Sequence, residues 1–332
     1  MPPGWLVAQR SSSRVRHVER WRGVDKIPTK WGRCVVTIGV FDGVHRGHQQ
    51  IIARAVEKAR ELGVPSVVLT FDPHPIEVVR PGSHPPMLTA QRYKADLVEQ
   101  LGVDVFCVLP FTLAFMRLTA AEFVHDVLVE RLHASAVVVG ENFRYGNAGA
   151  GTVATLTADG RRFGFSVEGF PLQGSGDMAW SSTYIRSCVS AGDVGSAAEA
   201  LGREHRIHGI IVRGDQRGRE IGYPTANLEP QPWSAVPSDG IYAGRLVRGA
   251  RGGELLPAAI SIGTNPTFAG TERRVEAFVL DFDEDLYGEH VGLAFTARLR
   301  DTLRFDGIAP LVAQMDLDVE RTRLLVLDHP IG

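Results

Sequence analysis

Residues 39–48 read Gly-Val-Phe-Asp-Gly-Val-His-Arg-Gly-His. They follow the apolar run Cys34–Ile38 and precede a stretch rich in Ala, Glu and Lys, so they indicate the junction of a strand and a helix. The N–H groups at a helix N-terminus are unpaired and carry partial positive charge, and this junction therefore predicts a phosphate site. It is not a P-loop, because the lysine of that motif is missing.

Two histidines in this stretch, His45 and His48, flank Gly47. Their imidazoles would donate to a triphosphate, and the glycine lets the backbone approach closely. The predicted chemistry is nucleotidyl transfer, with both rings stabilising charge on the phosphates as pyrophosphate leaves. The alternatives are two surface histidines at a helix start, or a metal pair. A metal is disfavoured because no carboxylate or cysteine ligand follows in the usual pattern.

The first half of the chain alternates between strand-like and helix-like segments. Continuous apolar strands predict a parallel sheet with helices on both faces. The predicted strands are Val35–Val40, Ser66–Phe71, Val103–Leu109 and Ser135–Gly140, and the predicted helices are Gln49–Leu62, Ala90–Leu101 and one from the capping box Thr119–Glu122 to about Leu132. Ligands bind beyond the carboxyl ends of such strands. We therefore expect the histidine pair, Phe71–Pro75 and Gly140–Phe143 to converge on one rim.

The sequence pattern changes near Gly202, where short strand-like apolar runs alternate with Gly- and Pro-rich turns. This spacing predicts an antiparallel barrel followed by a helix at Ile308–Leu325. The predicted barrel strands are Ile207–Val212, Ile241–Val247, Ala258–Ile262, Val275–Phe282 and Val291–Leu299. The predicted fold class is α/β plus β. Its expected parts are a basic lead-in (1–30), an α/β domain (31–190), a partly helical linker (191–205, with a helix at Asp193–Leu201) and a barrel domain (206–332).

Composition narrows the class of protein. The chain has 332 residues, 44% of them hydrophobic, and a formal net charge of −2, which favours neither a nucleic-acid nor a membrane partner. No apolar run approaches the roughly 20 residues that span a bilayer. Cys34, Cys107 and Cys188 form no disulfide or zinc pattern, so we expect a reducing, cytoplasmic location. The lead-in lacks the apolar core of a secretory signal; we expect a disordered extension or a start codon placed too early.

A second chemical cluster is Trp180–Arg186, which contains the run Ser181-Ser182-Thr183. Ser181 or Ser182 would cap the helix that follows, and Arg186 lies about one turn into it. Its guanidinium could reach the same anion as the capped amides. The alternative is a helix cap with no further function.

A third cluster spans Gly209–Asn227 and ends in Pro-Thr-Ala-Asn. Its glycines, Gly214, Gly218 and Gly222, make a pliable loop that could cover phosphates. Thr225 and Asn227 supply the hard oxygen atoms that suit Mg²⁺ shared with substrate phosphates. The alternative is a hairpin loop with ordinary turn glycines.

The fourth feature is Glu276. With a period of two, it shares a strand face with Phe278 and Leu280, and a carboxylate on an apolar barrel face would be desolvated. Such a group has a raised pKa and suits a general base that activates an alcohol. The alternative is an edge-strand glutamate in water, and the residues themselves leave both open.

These four clusters, in this order, resemble the bifunctional bacterial riboflavin kinase/FMN adenylyltransferase family. The resemblance runs from about Val35 to Arg323, and it also includes Thr70–Pro75, Val139–Gly146 and Ser261–Phe268. The chain departs from the pattern in its basic lead-in and in an inserted loop at Gly249–Gly253.

The resemblance implies a Rossmann-like nucleotidyltransferase module followed by a six-stranded flavokinase barrel. The barrel would use ATP and Mg²⁺ to convert riboflavin to FMN, and the first module would use a second ATP to convert FMN to FAD. Catalysis would fall to His45, His48, Arg186 and Glu276, the last taking the proton of the ribityl hydroxyl. ATP and its phosphates would contact Gly39, Phe41, Asp42, Gly47, Ser182, Thr183, Gly214, Gly218, Gly222, Thr225 and Asn227, with Thr225 and Asn227 also on the metal. The flavin would contact Phe71, His74 and Asn142.

Three rival functions remain open at this stage. One is a single-activity nucleotidyltransferase whose barrel only binds flavin. Another is a nucleotidyltransferase for a different substrate, such as pantetheine phosphate or glycerol phosphate, joined to an unrelated barrel. The third is a non-catalytic flavin-binding regulator.

Overall fold

The computed structural model describes residues 17–28, 31–171, 174–175, 178–214, 217–249, 253–267 and 270–328. It shows a parallel sheet flanked by helices, followed by a closed antiparallel barrel, as predicted. The first sixteen residues of the basic lead-in, residues 250–252 of the inserted loop and Phe268 lie outside the described residues.

The first sheet has six strands in the order β1-β4-β3-β2-β5-β6, and all its pairings are parallel. The strands are β1 (Glu19–Arg22), β2 (Cys34–Ile38), β3 (Ser66–Asp72), β4 (Val105–Pro110), β5 (Ala134–Gly140) and β6 (Ser166–Phe170). The four predicted strands, β2 to β5, are confirmed. The edge strands β1 and β6 were not predicted, and β1 lies within the segment that was assigned to a lead-in.

Helices cover both faces of this sheet and lead into the barrel. They are α1 (Arg46–Leu62), α2 (Pro75–Val79), α3 (Gln91–Gln100), α4 (Leu113–Met116), α5 (Ala120–Glu122), α6 (Val153–Phe163), α7 (Ser182–Ala191) and α8 (Val194–Leu201), with a small hairpin of β7 (Gly174–Ser175) and β8 (Met178–Ala179) before α7. The predicted capping box at Thr119 is confirmed, but the chain continues beyond α5 as π-helical turns over Phe123–Val129.

The buried residues of α1 show why this sequence forms a helix against the sheet. Ile52, Ala55, Val56 and Ala59 follow the spacing of one helix face, and all are buried. The helix ends at Gly63, whose φ of 65° is the left-handed conformation that favours glycine at a helix C-terminus.

The barrel closes in the order β10-β13-β12-β11-β14-β9, with antiparallel pairing throughout. Its elements are β9 (His205–Val212), α9 (Arg217–Glu220), β10 (Ala226–Pro230), β11 (Gly240–Arg248), β12 (Glu254–Thr267), β13 (Gly270–Val279), β14 (His290–Arg300) and α10 (Ile308–Asp328). The five predicted strands and the final helix are confirmed, whereas β10 was not predicted. Closure leaves no strand of this sheet at an edge.

The two modules are joined by backbone hydrogen bonds as well as by α8. Met87 N–H donates to the Trp233 carbonyl at 2.5 Å, and Ala235 N–H donates to the Met87 carbonyl at 2.8 Å. Beneath this contact, His205 Nε2 lies 2.7 Å from the Ala235 carbonyl oxygen, and the imidazole is buried. Within the described ranges, no helix is long and apolar enough to cross a membrane.

His205 makes the stability of the fold depend on pH. Burial lowers its pKa from 6.5 to about 4, although the hydrogen bond to Ala235 works in the opposite direction. The unfolded chain therefore binds more protons than the folded chain between these values, and stability is lost as the pH falls from 6.5 towards 4.

We expect urea unfolding at pH 7, 6 and 5 to show this loss of stability. His205→Gln should make the slope smaller, although His45, His48 and His74 also have lowered pKa values and keep part of it. His125→Gln, at an exposed position, should keep the full slope; equal slopes in all three proteins would contradict the assignment.

Candidate functional site

The strand order explains why distant motifs meet. β2 lies between β3 and β5, so the loops that follow these three strands are neighbours at the carboxyl edge of the sheet. The connections from β2 to β3 and from β5 to β6 run in opposite directions across the sheet, and ligands bind at such a switch point. The predicted convergence of three clusters on one rim is confirmed.

The loop between β2 and α1 has a backbone that few sequences tolerate. Phe41 and Val44 have φ values of 49° and 41°, and Gly43 has φ of 86°. A β-branched residue in this region is strained, and such strain persists where the surroundings hold it in place. At Gly39 a Cβ atom would lie 3.0 Å from the Phe41 ring, so glycine makes room for that ring.

Side chains from other elements hold the carbonyl groups of this loop. The Val40 carbonyl accepts from Thr70 Oγ1 at 3.1 Å and from Lys94 Nζ at 2.8 Å. The Asp42 carbonyl accepts from Ser182 Oγ at 2.8 Å. Burial lowers the pKa of Lys94 to about 8, which leaves its ammonium charged in most molecules at pH 7. The loop is therefore anchored from β3, α3 and α7 together.

His45 and His48 form one stacked pair at the start of α1. His45 is the N-cap residue, and its Nδ1 accepts from the His48 N–H at 3.4 Å. The ring centroids lie 3.6 Å apart with 23° between the planes, and Phe41 packs edge-on against His48. A Cβ atom on Gly47 would lie 3.3 Å from the His45 ring, so the glycine permits this stacking.

Both imidazoles are neutral near pH 7. Burial is the main reason that the pKa of His45 is lowered to about 4. The negative charge of Asp42 raises this pKa, whereas the positive charges of Arg203 and Arg186 lower it. Burial and the neighbouring His45 also hold the pKa of His48 well below its usual range. A neutral imidazole carries one N–H, and since His45 Nδ1 accepts a hydrogen bond, its proton belongs on Nε2.

The second cluster meets the first through an ion pair between the half-buried Arg186 and the buried Asp42. Arg186 Nη2 lies 2.6 Å from Asp42 Oδ2, and the Asp42 carboxylate also accepts from the Leu88 and Thr89 N–H groups, each at 3.1 Å. Arg186 Nε donates to the Pro86 carbonyl at 2.7 Å. The carboxylate of Asp42 therefore anchors Arg186 and a neighbouring loop, a role that its motif did not reveal.

Two helix N-termini lie side by side at this point. Ser181 caps α7 by accepting from the Tyr184 N–H at 3.1 Å, which decides between the two capping serines that the sequence offered. A Cβ atom on Gly47, in the first turn of α1, would lie 3.7 Å from the Trp180 carbonyl oxygen. Thr183 is exposed in the first turn of α7. The partial positive charges of both helices favour an anion here.

The residues predicted to meet the flavin lie on either side of the histidine pair. Phe71 packs with Phe111 and Phe115, at ring-centroid distances of 5.6 and 5.8 Å. His74 caps α2, and burial lowers its pKa to about 4. Asn142 is exposed on the loop after β5. The sequence analysis did not single out Phe111 and Phe115, which extend this aromatic cluster after β4.

The barrel residues lie in one row across three strands. Glu276 on β13 is directly opposite Asn227 on β10 and Ser261 on β12. Directly opposed residues project from the same face, with Cβ atoms about 4.5–5.5 Å apart. Val275, Ala277 and Val279 instead enter the apolar core of the barrel. The structure thus brings Asn227 and Glu276 together on the outer face of the barrel.

Glu276 shares a strand face with Phe278, as predicted, but two other expectations about it were wrong. It does not share the buried apolar face of its strand, because the residues next to it in the chain point into the core and Leu280 lies beyond the end of β13. It is also not on an edge strand, because β13 pairs on both sides. Glu276 is half-buried within a polar row of the barrel surface.

The glycine-rich loop packs on this row. A Cβ atom on Gly214 would lie 2.5 Å from the Asn227 side chain, and one on Gly218 would lie 2.2 Å from the Tyr223 carbonyl oxygen. Gly222 has φ of 88°. Gly218 is therefore required by a close backbone contact and Gly222 by its backbone conformation, while Gly214 leaves room for the Asn227 side chain.

Tyr223 is a further residue beside this row that the sequence did not single out. Its hydroxyl donates to Asp316 Oδ1 on α10, and its ring packs on Phe278, with centroids 4.9 Å apart. Burial and the bond to Asp316 raise the pKa of Tyr223 to about 12. The final helix thereby supports the loop that carries Thr225.

A separate cavity of about 620 Å³ lies between the modules. It is bounded by Val44, Gln49 and α3 on one side and by β9, β11 and β14 on the other. His45, His48, Arg186 and Glu276 are not among the described residues that line it.

Two family models cover most of the chain. Residues 27–184 match the FAD synthetase model and residues 201–326 match the riboflavin kinase model. The bifunctional riboflavin kinase/FMN adenylyltransferase of Escherichia coli K12 is 35% identical over 86% of this chain and 90% of its own length. The chain belongs to the bifunctional riboflavin kinase/FMN adenylyltransferase family.

Another family member, from Pseudomonas fluorescens, is 37% identical over 92% of this chain and 96% of its own length. Among solved structures, a protein from Streptococcus pneumoniae described as a macrolide-efflux protein has a TM-score of 0.82 and 32% identity, and the match covers 92% of this chain and 99% of that one. The match therefore extends across both modules of the fold.

Proposed function

We propose that the chain makes FAD in two steps, with riboflavin kinase activity in the barrel and FMN adenylyltransferase activity in the first module. The observation that supports this proposal most strongly is that the two sites present different types of residue. The sheet rim gathers imidazoles, a guanidinium and two helix N-termini, whereas the barrel row presents a carboxylate beside amide and hydroxyl oxygens. The first set stabilises phosphate charge, and the second can deprotonate an alcohol.

In the barrel, Glu276 would accept the proton of the terminal ribityl hydroxyl of riboflavin. The alkoxide oxygen attacks the γ-phosphorus of ATP, the bond to the β-phosphate oxygen breaks, and FMN and ADP result. Thr225 and Asn227 would hold the phosphates, under the loop of Gly214, Gly218 and Gly222. Positioning and charge stabilisation provide most of the catalysis in phosphoryl transfer.

The same residues fit a magnesium ion. The hydroxyl oxygen of Thr225 and the amide oxygen of Asn227 are hard donors, and Mg²⁺ binds few such protein ligands together with substrate phosphates. When bound, Mg²⁺ neutralises negative charge on the transferred group.

In the first module, the FMN phosphate would attack the α-phosphorus of a second ATP and release pyrophosphate. This nucleophile is already anionic, so no strong base is required.

His45 and His48 would donate hydrogen bonds from their neutral rings to the phosphates. The N–H groups of α1 and α7, with Ser182 and Thr183, would bind the remaining phosphate oxygens. Arg186 would act from its anchored position on Asp42, while Gly39, Phe41 and Gly47 shape the loop. Phe71, His74 and Asn142 would contact the flavin.

The proposed module limits are residues 31–190 and 206–332, joined by residues 191–205. We place the activity in the cytoplasm, because Cys34, Cys107 and Cys188 are buried free thiols, which suit a reducing compartment.

The test is a time course with purified protein, riboflavin, ATP and Mg²⁺, analysed by chromatography. We expect FMN to appear first and FAD to follow, with ADP and pyrophosphate as co-products. FAD from supplied FMN alone would indicate the single-activity alternative. Riboflavin binding without any product would indicate the regulator and would contradict the proposal.

A further inference from the structure

Arg203 lies at the entrance to the barrel but contacts the nucleotidyl loop of the first module. It follows α8 and precedes β9. Its Nη2 donates to the Gly43 carbonyl at 2.5 Å, and its Nη1 donates to the Val44 and Leu201 carbonyls, each at 3.2 Å. One guanidinium therefore ties two loop carbonyls to the end of α8.

One of the two loop carbonyls belongs to Val44, whose backbone conformation is strained. Gly43 and Val44 both have positive φ, and Val44 is β-branched. A strained backbone conformation persists only when its surroundings enforce it. The peptide between Val44 and His45 leads directly into the histidine pair, so its orientation sets where the His45 ring begins.

Other contacts place Arg203 within a continuous clamp. Gln49 Nε2 donates to the same Val44 and Leu201 carbonyls, each at 2.8 Å. Arg46 Nε donates to the Glu199 carbonyl at 2.7 Å. These bonds hold the first turn of α1 against α8. Arg203, just before β9, donates to the same Val44 and Leu201 carbonyls and completes the set of contacts.

We propose that Arg203 is a positioning residue for FMN adenylylation, by which the segment that joins the two modules holds the Gly43–Val44 turn and thereby keeps the His45–His48 pair in place. This inference rests on the proposed function. A planar guanidinium can donate to several carbonyls at fixed angles, whereas a lysine ammonium is a single point charge.

The position of Arg203 also has an electrostatic effect on the histidines. Together with burial, its charge lowers the pKa of both His45 and His48. At His45, Arg186 also lowers the pKa and Asp42 raises it. At His48, Lys94 lowers the pKa further. Removing the charge should therefore raise the pKa of both imidazoles. Replacing arginine by lysine should keep the charge but lose the shared hydrogen bonds. The two variants separate charge from geometry.

The experiment compares Arg203→Ala, Arg203→Lys and Arg206→Ala in the full chain. Arg206 is the matched control: it lies three residues away and over the same Tyr93 ring, and none of its described hydrogen bonds reaches the loop. For both Arg203 variants we expect the kcat of FMN adenylylation to fall about 100-fold, as for a small misplacement of reacting groups. Riboflavin kinase, on the same polypeptide, and the Arg206 variant should stay within about twofold of the parent.

A nuclear magnetic resonance titration of the imidazole C–H signals adds a readout that loss of folding would not produce. The pKa of His45 and His48 should rise in Arg203→Ala and stay near the parent value in Arg203→Lys. Full adenylylation activity in either Arg203 variant, or equal loss of kinase and adenylyltransferase activity, would overturn the inference. If the parent itself makes no FAD from FMN, the proposed function fails instead, so the two failures are distinguishable.

Discussion

Replacing Glu276 by alanine should abolish FMN formation while FAD formation from supplied FMN continues. Glu276 lies beside Asn227 and Ser261 on the barrel surface, and no step of adenylyl transfer requires it. A general base contributes about 10²- to 10⁴-fold to rate, and we expect the kcat of riboflavin phosphorylation to fall by that factor. The measurement is the initial rate of each half-reaction, followed by chromatography of the flavins.

The matched variants are Glu276→Gln and Glu254→Ala. The first keeps the shape of the side chain and removes only its basicity, so it should be as inactive in the kinase reaction as the alanine variant. Glu254 is an exposed glutamate at the start of β12, and its loss should leave both rates unchanged. Equal loss of both half-reactions in the Glu276 variants would refute the assignment.

His48→Ala should have the opposite effect. FAD formation from FMN should fall about 10²- to 10³-fold, the usual effect of removing a donor that stabilises developing charge. Phosphorylation of riboflavin should continue at the parental rate, because His48 lies on α1 and contacts Phe41 and His45 rather than the barrel row. His48 is a cleaner target than His45, whose loss would also remove the N-cap of α1.

The control is His125→Ala, which removes an exposed imidazole of the same module. It should leave FAD synthesis unchanged. Parental FAD output from the His48 variant would exclude the ring from the reaction.

Local sequence predicted the parts of the fold whose pattern is strong. The β2 strand has five consecutive buried residues, and α1 repeats its apolar side chains every three or four positions. The missed strands bury too little to show such a pattern. β1 buries only Trp21 among charged neighbours, and β10 buries only Leu228. They are strands because their neighbours in the sheet offer hydrogen bonds, which the local sequence does not contain.

The errors at the sites have the same physical origin. The orientation of Glu276 was ambiguous because apolar residues occur on both faces of β13: Val275 and Ala277 enter the core, while Phe278 packs on Tyr223 outside it. The pairing of Asp42 with Arg186 joins residues 144 positions apart. The hydrogen bond from Arg203 to the Val44 carbonyl joins residues 159 positions apart. The types of residue were predictable from motifs, but contacts across such separations were not.

The most direct test of the division of labour mixes two damaged proteins. Glu276→Ala and His48→Ala are incubated with riboflavin, ATP and Mg²⁺, first separately and then together in equal amounts. We expect neither variant alone to accumulate FAD, and the mixture to produce it, because FMN released by the His48 variant becomes the substrate of the Glu276 variant. FAD from either variant alone, or a mixture that stops at FMN, would contradict the account.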